Sequence, residues 1–290
     1  MRSHFSLLAF GLFVPSVVAC GNGQSQNHSS GIGPDASTGS DASKVGSPTD
    51  GGVSDGNTAD VPLGEGGASL CNDGGAFLFC DGFEDTNLSD NWSQTQYANA
   101  PPPQADSVHY YRGTHALHAR TYAVVDAGAA AYSTIQKLAS SGSWPAHFFT
   151  RLFVYQPSPS PPSPEGLLDL INTTSPYAGI ELISNPLGPS GGLATFTYNT
   201  STDQGWPSDA GLALDQWVCF EVEVDTFNSV SHVYMNGVEV TALAGMKLGL
   251  PALGNVSVGM SFFSPIAGQK EEDSWIDEVA VSTSRIGCSN

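Results

Sequence analysis

The stretch Gln216 to Val240, QWVCFEVEVDTFNSVSHVYMNGVEV, decides the fold. Val218, Phe220, Val222 and Val224 alternate with Trp217, Cys219, Glu221 and Glu223, and a period of two is the mark of a strand with one buried face. Val233 to Met235 then runs into Asn236-Gly237 and on to Val238–Val240. Asn-Gly supplies the two positive φ angles of a type I′ turn, so this part of the chain is an antiparallel hairpin.

The same pattern extends in both directions. Upstream, GAFLFCDGFED (75–85) sets Phe77, Phe79 and Phe83 against Leu78, Cys80 and Glu84, and FFTRLFVY (148–155) is a second strong strand. It ends in QPSPSPPSPEG, whose prolines cannot donate to a ladder and hold the chain in an extended loop. Short strands are expected over 108–122 (broken by a tight turn at Arg112-Gly113-Thr114), 129–136, 166–172, 179–184 and 193–198. Two more, 255–263 and 275–282, lie downstream. About a dozen short strands with no long amphipathic helix define an all-β, two-sheet antiparallel jelly-roll sandwich. The run 71–290 is read as one domain.

The amino terminus has another character. Arg2 precedes the apolar run Phe5–Val14 and then Val17-Val18-Ala19-Cys20. About fifteen apolar residues are too few to span a bilayer, and a small residue before the cut marks a secretory signal over 1–19. The four residues 17–20 resemble the lipobox of bacterial lipoproteins, which implies cleavage before Cys20 and lipidation of that cysteine. Residues 20–70 are read as a Gly/Ser/Asp-rich acidic tether, too poor in apolar side chains to offset its ordering entropy, with a typical span of roughly 40 Å. The expected location is the bacterial cell envelope, as an outer-membrane or surface lipoprotein.

The net charge is −19, with only nine Lys and Arg among 290 residues. Such a chain does not attract nucleic acid or anionic lipid, so membrane attachment is expected through the lipid on Cys20 alone. Without Cys20, four cysteines remain (Cys71, Cys80, Cys219 and Cys288), an even number that in an exported chain points to two disulfides.

FCDGFED…NW, YRGTHALHAR, QWVCFEVEVD…VYMNGVEV and SWIDEVAVSTSRIGC together resemble the concanavalin A-like lectin/glucanase jelly rolls, the laminin G-like group in particular. The resemblance implies two antiparallel sheets, first and last strands side by side, and a concave face that commonly binds saccharides. It also implies a structural calcium, for which Glu84, Asp85, Gly113 and Asp277 are the matching residues; calcium takes carboxylate and carbonyl oxygens. With Phe83 near Trp275 or Ile276 in the paired first and last strands, Cys288 falls opposite Cys71. The expected bridges are then Cys71–Cys288 and, by elimination, Cys80–Cys219.

Two sets of residues compete for function. Glu221, Glu223 and Asp225 share a strand face, and paired carboxylates about 5–5.5 Å apart serve a retaining glycosidase. They depart from the Glu-x-Asp-x-Glu of related glucanases and read as a solvated strand face in an acidic protein. The arginine-rich strand and the Gln-x-His and tyrosine motifs of alginate-lyase relatives are absent, as are a nucleophile elbow, a phosphate loop and a Cys-x-x-Cys pair. The second set suits binding: Arg151 among the aromatics Phe149, Phe153 and Tyr155, with Glu181 and Tyr198 on nearby strands and Trp206 in a loop at the rim. The preferred expectation is a carbohydrate-binding or adhesion module for an extracellular saccharide, without catalysis or an organic cofactor. The alternative is a diverged glycoside hydrolase or polysaccharide lyase.

Overall fold

The computed structural model describes residues 67–72, 75–185, 192–200 and 203–288. The expected leader 1–19, Cys20 and the tether up to residue 66 lie outside the described residues. In chain order the strands are β1 (Phe77–Asp81), β2 (Gln94–Ala98), β3 (Gln104–Asp106), β4 (Ala116–Thr121), β5 (Ala131–Leu138), β6 (His147–Tyr155), β7 (Glu165–Ile171) and β8 (Gly179–Ser184). They continue with β9 (Gly192–Tyr198), β10 (Gly205–Gly211), β11 (Trp217–Asp225), β12 (Val230–Met235), β13 (Val238–Glu239), β14 (Met246–Lys247), β15 (Asn255–Phe262) and β16 (Glu272–Ser282).

They form two antiparallel sheets. The nine-stranded sheet runs β13-β12-β11-β6-β16-β4-β3, with β1 also on β16 and β14 on β12; the seven-stranded sheet runs β10-β9-β8-β7-β15-β5-β2. This is the expected jelly-roll sandwich, with the first and last strands paired. The opening stretch becomes β11, the β12–β13 hairpin and its turn, in which Asn236 and Gly237 take φ of 49° and 82°.

Period-2 burial builds the layer between the sheets. Val218, Phe220, Val222 and Val224 of β11 and Phe148, Leu152 and Val154 of β6 meet Leu168, Leu170, Ile180, Leu182, Val256, Val258 and Ile135 from the other sheet. Each such side chain contributes roughly 1.5–3 kcal/mol on burial, so this layer fixes which face of every strand points outward. Trp92 stacks on Phe83 at 5.7 Å and gives its indole N–H to Asp81 at 2.7 Å, which closes one end of the core.

The disulfides differ from expectation: Cys71 bonds Cys80 and Cys219 bonds Cys288. The register supposed for β1 and β16 is close, since Cys80 lies opposite Ala280. The segment that carries Cys71 is not extended, however. It doubles back into a single 3-10 turn at Leu70–Asn72, which brings Cys71 beside Cys80 with Cα atoms 5.4 Å apart. Cys80 and Cys219 do both face outward, but β16 and β6 stand between their strands. Three strand spacings, about 14 Å, are twice what a disulfide bridges. The folded region also begins earlier than residue 71, because Ser69 and Leu70 are already buried.

Candidate functional site

The two outward faces of the sandwich carry the residues that the sequence nominates, and they are built differently. On the nine-stranded sheet, β6 and β11 face outward with Tyr155, Phe153, Arg151 and Phe149 opposite Trp217, Cys219, Glu221 and Glu223. Three segments cover this face. Leu70, Tyr111 and Cys288 pack with Phe153, Trp217, Cys219, Ala116 and Trp275 into a second apolar cluster. Tyr111 stacks on Phe153 at 3.9 Å and His109 on Tyr155 at 4.1 Å.

Carboxylates fasten the cover. Glu84 accepts the amides of Thr114 and His115 at 2.9 and 3.2 Å and the Thr114 hydroxyl at 2.8 Å. Asp277 accepts the amides of Tyr111, Arg112 and Glu278. Glu278 accepts the amide of Leu70 at 3.0 Å. Glu221, 0 % exposed, accepts those of Ile286 and Gly287 and the Arg285 guanidinium at 3.1 Å. Gly113, at φ 69°, lies where a Cβ would stand 1.9 Å from a Glu84 oxygen. That position therefore needs glycine for both space and conformation.

This arrangement decides several expectations. Glu84 and Asp277 direct their oxygens at N–H and O–H donors, while Asp85 turns to the amide of Asn87. Amide hydrogens repel a cation, so these donors do not fit the expected calcium and do fit a clamp on the loop 109–115. Glu221 is a clamp on the carboxyl-terminal segment. Glu223 binds His147 at 2.9 Å and the Tyr234 hydroxyl at 3.1 Å, and Asp225 caps the turn at Asn228, so the three acids are spent separately. Arg151 is 2 % exposed, bonds the Glu278 carbonyl at 3.4 and 3.5 Å and lies 3.8 Å from the Glu278 carboxylate. It belongs to this buried network, and Tyr155 to the stacked aromatics beside it.

The seven-stranded sheet presents a different surface. One row of directly opposed residues crosses it: Gln94, Gln136, Ser257, Asp169, Glu181 and Phe196. Ile135, Val256, Val258, Leu168, Leu170, Ile180 and Leu182, which flank the four central members, fill the core, so Gln136, Ser257, Asp169 and Glu181 face away from it. Phe196 is 40 % exposed, and Asp169 and Tyr198 are half-buried. Two glycines shape the row. Tyr198 lies across Gly179, where a Cβ would come within 2.9 Å of its hydroxyl, and donates to Asp169 at 2.8 Å. Glu181 fills the space above Gly166 and accepts from the Ser261 hydroxyl at 3.3 Å.

Among the described residues no cation balances these acids. Lys137 is the one basic residue in the seven strands, and its ammonium goes to the Asn91 carbonyl. Burial lifts the Asp169 carboxyl to about 7, with the Tyr198 hydrogen bond opposing, and lifts Glu181 well above the carboxylate range, helped by repulsion from Asp169. The Tyr198 hydroxyl is pushed up by burial and by the same carboxylates. Burial and mutual repulsion thus both favour the protonated forms of this opposed pair.

The structure thus divides the five residues nominated for binding. Glu181 and Tyr198 lie on adjacent strands of one sheet, β8 and β9, while Arg151 and Tyr155 lie on the opposite, covered face. Trp206 is not in a rim loop: it stands on the edge strand β10, opposite Thr195, and packs against the inter-sheet core. Asp169 went unnominated. The available signal was a lone acid at the centre of an apolar strand, and it occurs twice, in LLDLI and GIELI.

The sheet order and core define a concanavalin A-like jelly roll. No family model and no curated protein matches the chain. Among solved structures, an endo-β-1,4-glucuronan lyase from the fungus Trichoderma reesei is similar at TM-score 0.55 and 12% identity, over 72% of this chain and 96% of that one. The cellulose-induced protein Cip1 is similar at TM-score 0.53 and 13% identity, over 73% of this chain and 100% of that one. At these identities the likeness is one of fold.

Proposed function

We propose that this protein is an exported saccharide-binding module, held to the bacterial envelope by a lipid on Cys20, and that it binds its ligand on the outer face of the seven-stranded sheet. The row Gln94–Gln136–Ser257–Asp169–Glu181–Phe196 carries this reading. It offers amides, a hydroxyl and carboxyls to orient sugar hydroxyls, with exposed Phe196 as the apolar surface on which a pyranose face stacks. The fold neighbours, named for a glucuronan lyase and a cellulose-induced protein, support a glycan as ligand class. Screening the folded domain against immobilised glycans, with Phe196→Ala in parallel, tests it. A hit that weakens by roughly tenfold in the variant is expected, and no hit in the screen contradicts it. Replacing Cys20 with Ser tests the anchor, and a variant that still sediments with membranes contradicts that part.

A second reading has one specific observation behind it. Asp169 and Glu181 are directly opposed carboxyls on adjacent strands, both raised above the usual carboxylate range by burial, and a raised carboxyl beside a second one is the make-up of an acid/base pair for glycoside cleavage. Release of reducing ends that is lost in both Asp169→Asn and Glu181→Gln identifies the module as a hydrolase. Binding without release identifies it as a receptor. Cleavage of a uronate by elimination is disfavoured, because the face has no cation to neutralise the sugar carboxylate.

A further inference from the structure

Among the described residues the acids of this face have no countercharge, and that bears on what the face takes. Asp169 and Glu181 each have hydroxyl partners only, from Tyr198 and Ser261. A second group on the same face also lacks a partner. Asn255, two residues along β15 from Ser257 and therefore on the same face, is 6 % exposed. Its Nδ2 donates to Gln136 Oε1 on β5 at 3.1 Å, and on the other side of β15 lies β7, where Asp169 stands opposite Ser257, two residues away. The Asn255 Oδ1 has no donor among the described residues. A buried acceptor without a donor costs about 1–3 kcal/mol, and the half-buried carboxyl of Asp169 and the buried one of Glu181, without a cation, stay ionised only at further cost. The face is therefore short of hydrogen-bond donors and of positive charge, and a ligand that brings both relieves it.

Resting on the saccharide reading above, we infer that the ligand is an amine-bearing glycan, a chain of unacetylated amino sugars whose ammonium groups sit between Asp169 and Glu181 while an adjoining N–H or O–H reaches Asn255. Phe196, opposite Glu181, stacks the ring that carries the amine. The same groups turn uronates away, because a sugar carboxylate there meets two carboxyls in a chain of net charge −19. Binding an ammonium favours the ionised pair, so association releases protons near neutral pH. Raised salt weakens it.

The experiment is calorimetric titration of the folded protein at pH 6 with three tetramers of one linkage: glucosamine, N-acetylglucosamine and glucuronate. The glucosamine chain is expected to bind about tenfold more tightly than the acetylated one, the glucuronate chain not at all. Repeating the titration in two buffers of different ionisation enthalpy should show proton release. Asp169→Asn and Glu181→Gln should each remove the preference for the amine. The three-ligand ranking on the unaltered protein stands even where a variant misfolds. Equal binding of the two glucosamine forms, or tighter binding of the glucuronate, overturns the amine and leaves the saccharide reading in place. Calcium that raises the melting temperature through Asp169 and Glu181 assigns the face to a metal and overturns it as well. Failure of all three tetramers together with the immobilised panel removes both readings.

Discussion

The outer face of the nine-stranded sheet and that of the seven-stranded sheet both carry acids among aromatics, yet they do opposite things with them. On the first, Glu84, Asp277, Glu278 and Glu221 accept backbone amides of the segments that lie over them, and two disulfides hold those segments down. On the second, Asp169 and Glu181 meet only hydroxyls among the described residues, and Phe196 is exposed. A carboxylate on a strand face is therefore uninformative by itself. What bears on function is whether the chain brings its own donors to the acid or leaves that to something else.

The largest expected effect is on the covered face. Removing Cys219–Cys288, whose partners are 69 residues apart, with Cys219→Ala and Cys288→Ala should cost ~4 kcal/mol in a chain-entropy account, read as a lower melting temperature. A loss below about 1 kcal/mol would show that the cover is not what stabilises that sheet.

Next comes Arg151→Ala. Breaking a buried ion pair and leaving Glu278 unpaired should cost roughly 3 kcal/mol, with saccharide affinity unchanged in whatever stays folded. Lost affinity at unchanged stability would return Arg151 to the binding site and break the distinction between the faces.

The pH dependence of stability sharpens it further. Burial raises Glu165 to about 8, opposed by its bond from Gln156, and raises Glu272 and Asp169 to about 7. Each is higher than in the unfolded chain, so the folded state holds more protons between about pH 4.5 and 8. The stability these groups contribute is fully present below the unfolded values and is lost as pH rises through 7 to 8. Chemical denaturation should therefore show a loss of about 2–4 kcal/mol from pH 5 to 8.5, and Glu165→Gln should flatten the upper part of that slope. Stability that rises over this interval would contradict the assignment.

The smallest effect expected is that of chelation. With amide donors around Glu84 and Asp277, removing calcium should leave the melting temperature where it was. A clear drop would restore the metal that the sequence resemblance implies.

The sequence made the layers legible because alternation reports burial directly: Val218 to Val224, Phe148 to Val154 and the Asn236-Gly237 turn stand as read. It did not show what comes to lie on a strand's outward face, since that depends on segments distant in the chain. Glu221 and Arg151 read as exposed because nothing local says that Ile286, Gly287 and Leu70 return to cover them. The cysteine pairing failed for a related reason, as a backward turn at Leu70–Asn72 leaves no periodic signal. Trp206 misled because Pro207 reads as a loop, while an edge strand tolerates proline. Glu181 and Tyr198 were nominated as the polar and aromatic members of adjacent short strands, and those strands do pair. Asp169 was hidden in an apolar run whose other residues earn the core assignment.

The most direct test sets one aromatic from each face against the other, Phe196→Ala and Tyr155→Ala, with the affinity for the best glycan from the panel measured on folded protein. The account predicts that Phe196→Ala weakens binding by roughly tenfold and that Tyr155→Ala leaves it within about twofold of the unaltered protein. Binding that survives Phe196→Ala and fails in Tyr155→Ala would place the ligand on the covered face and contradict it.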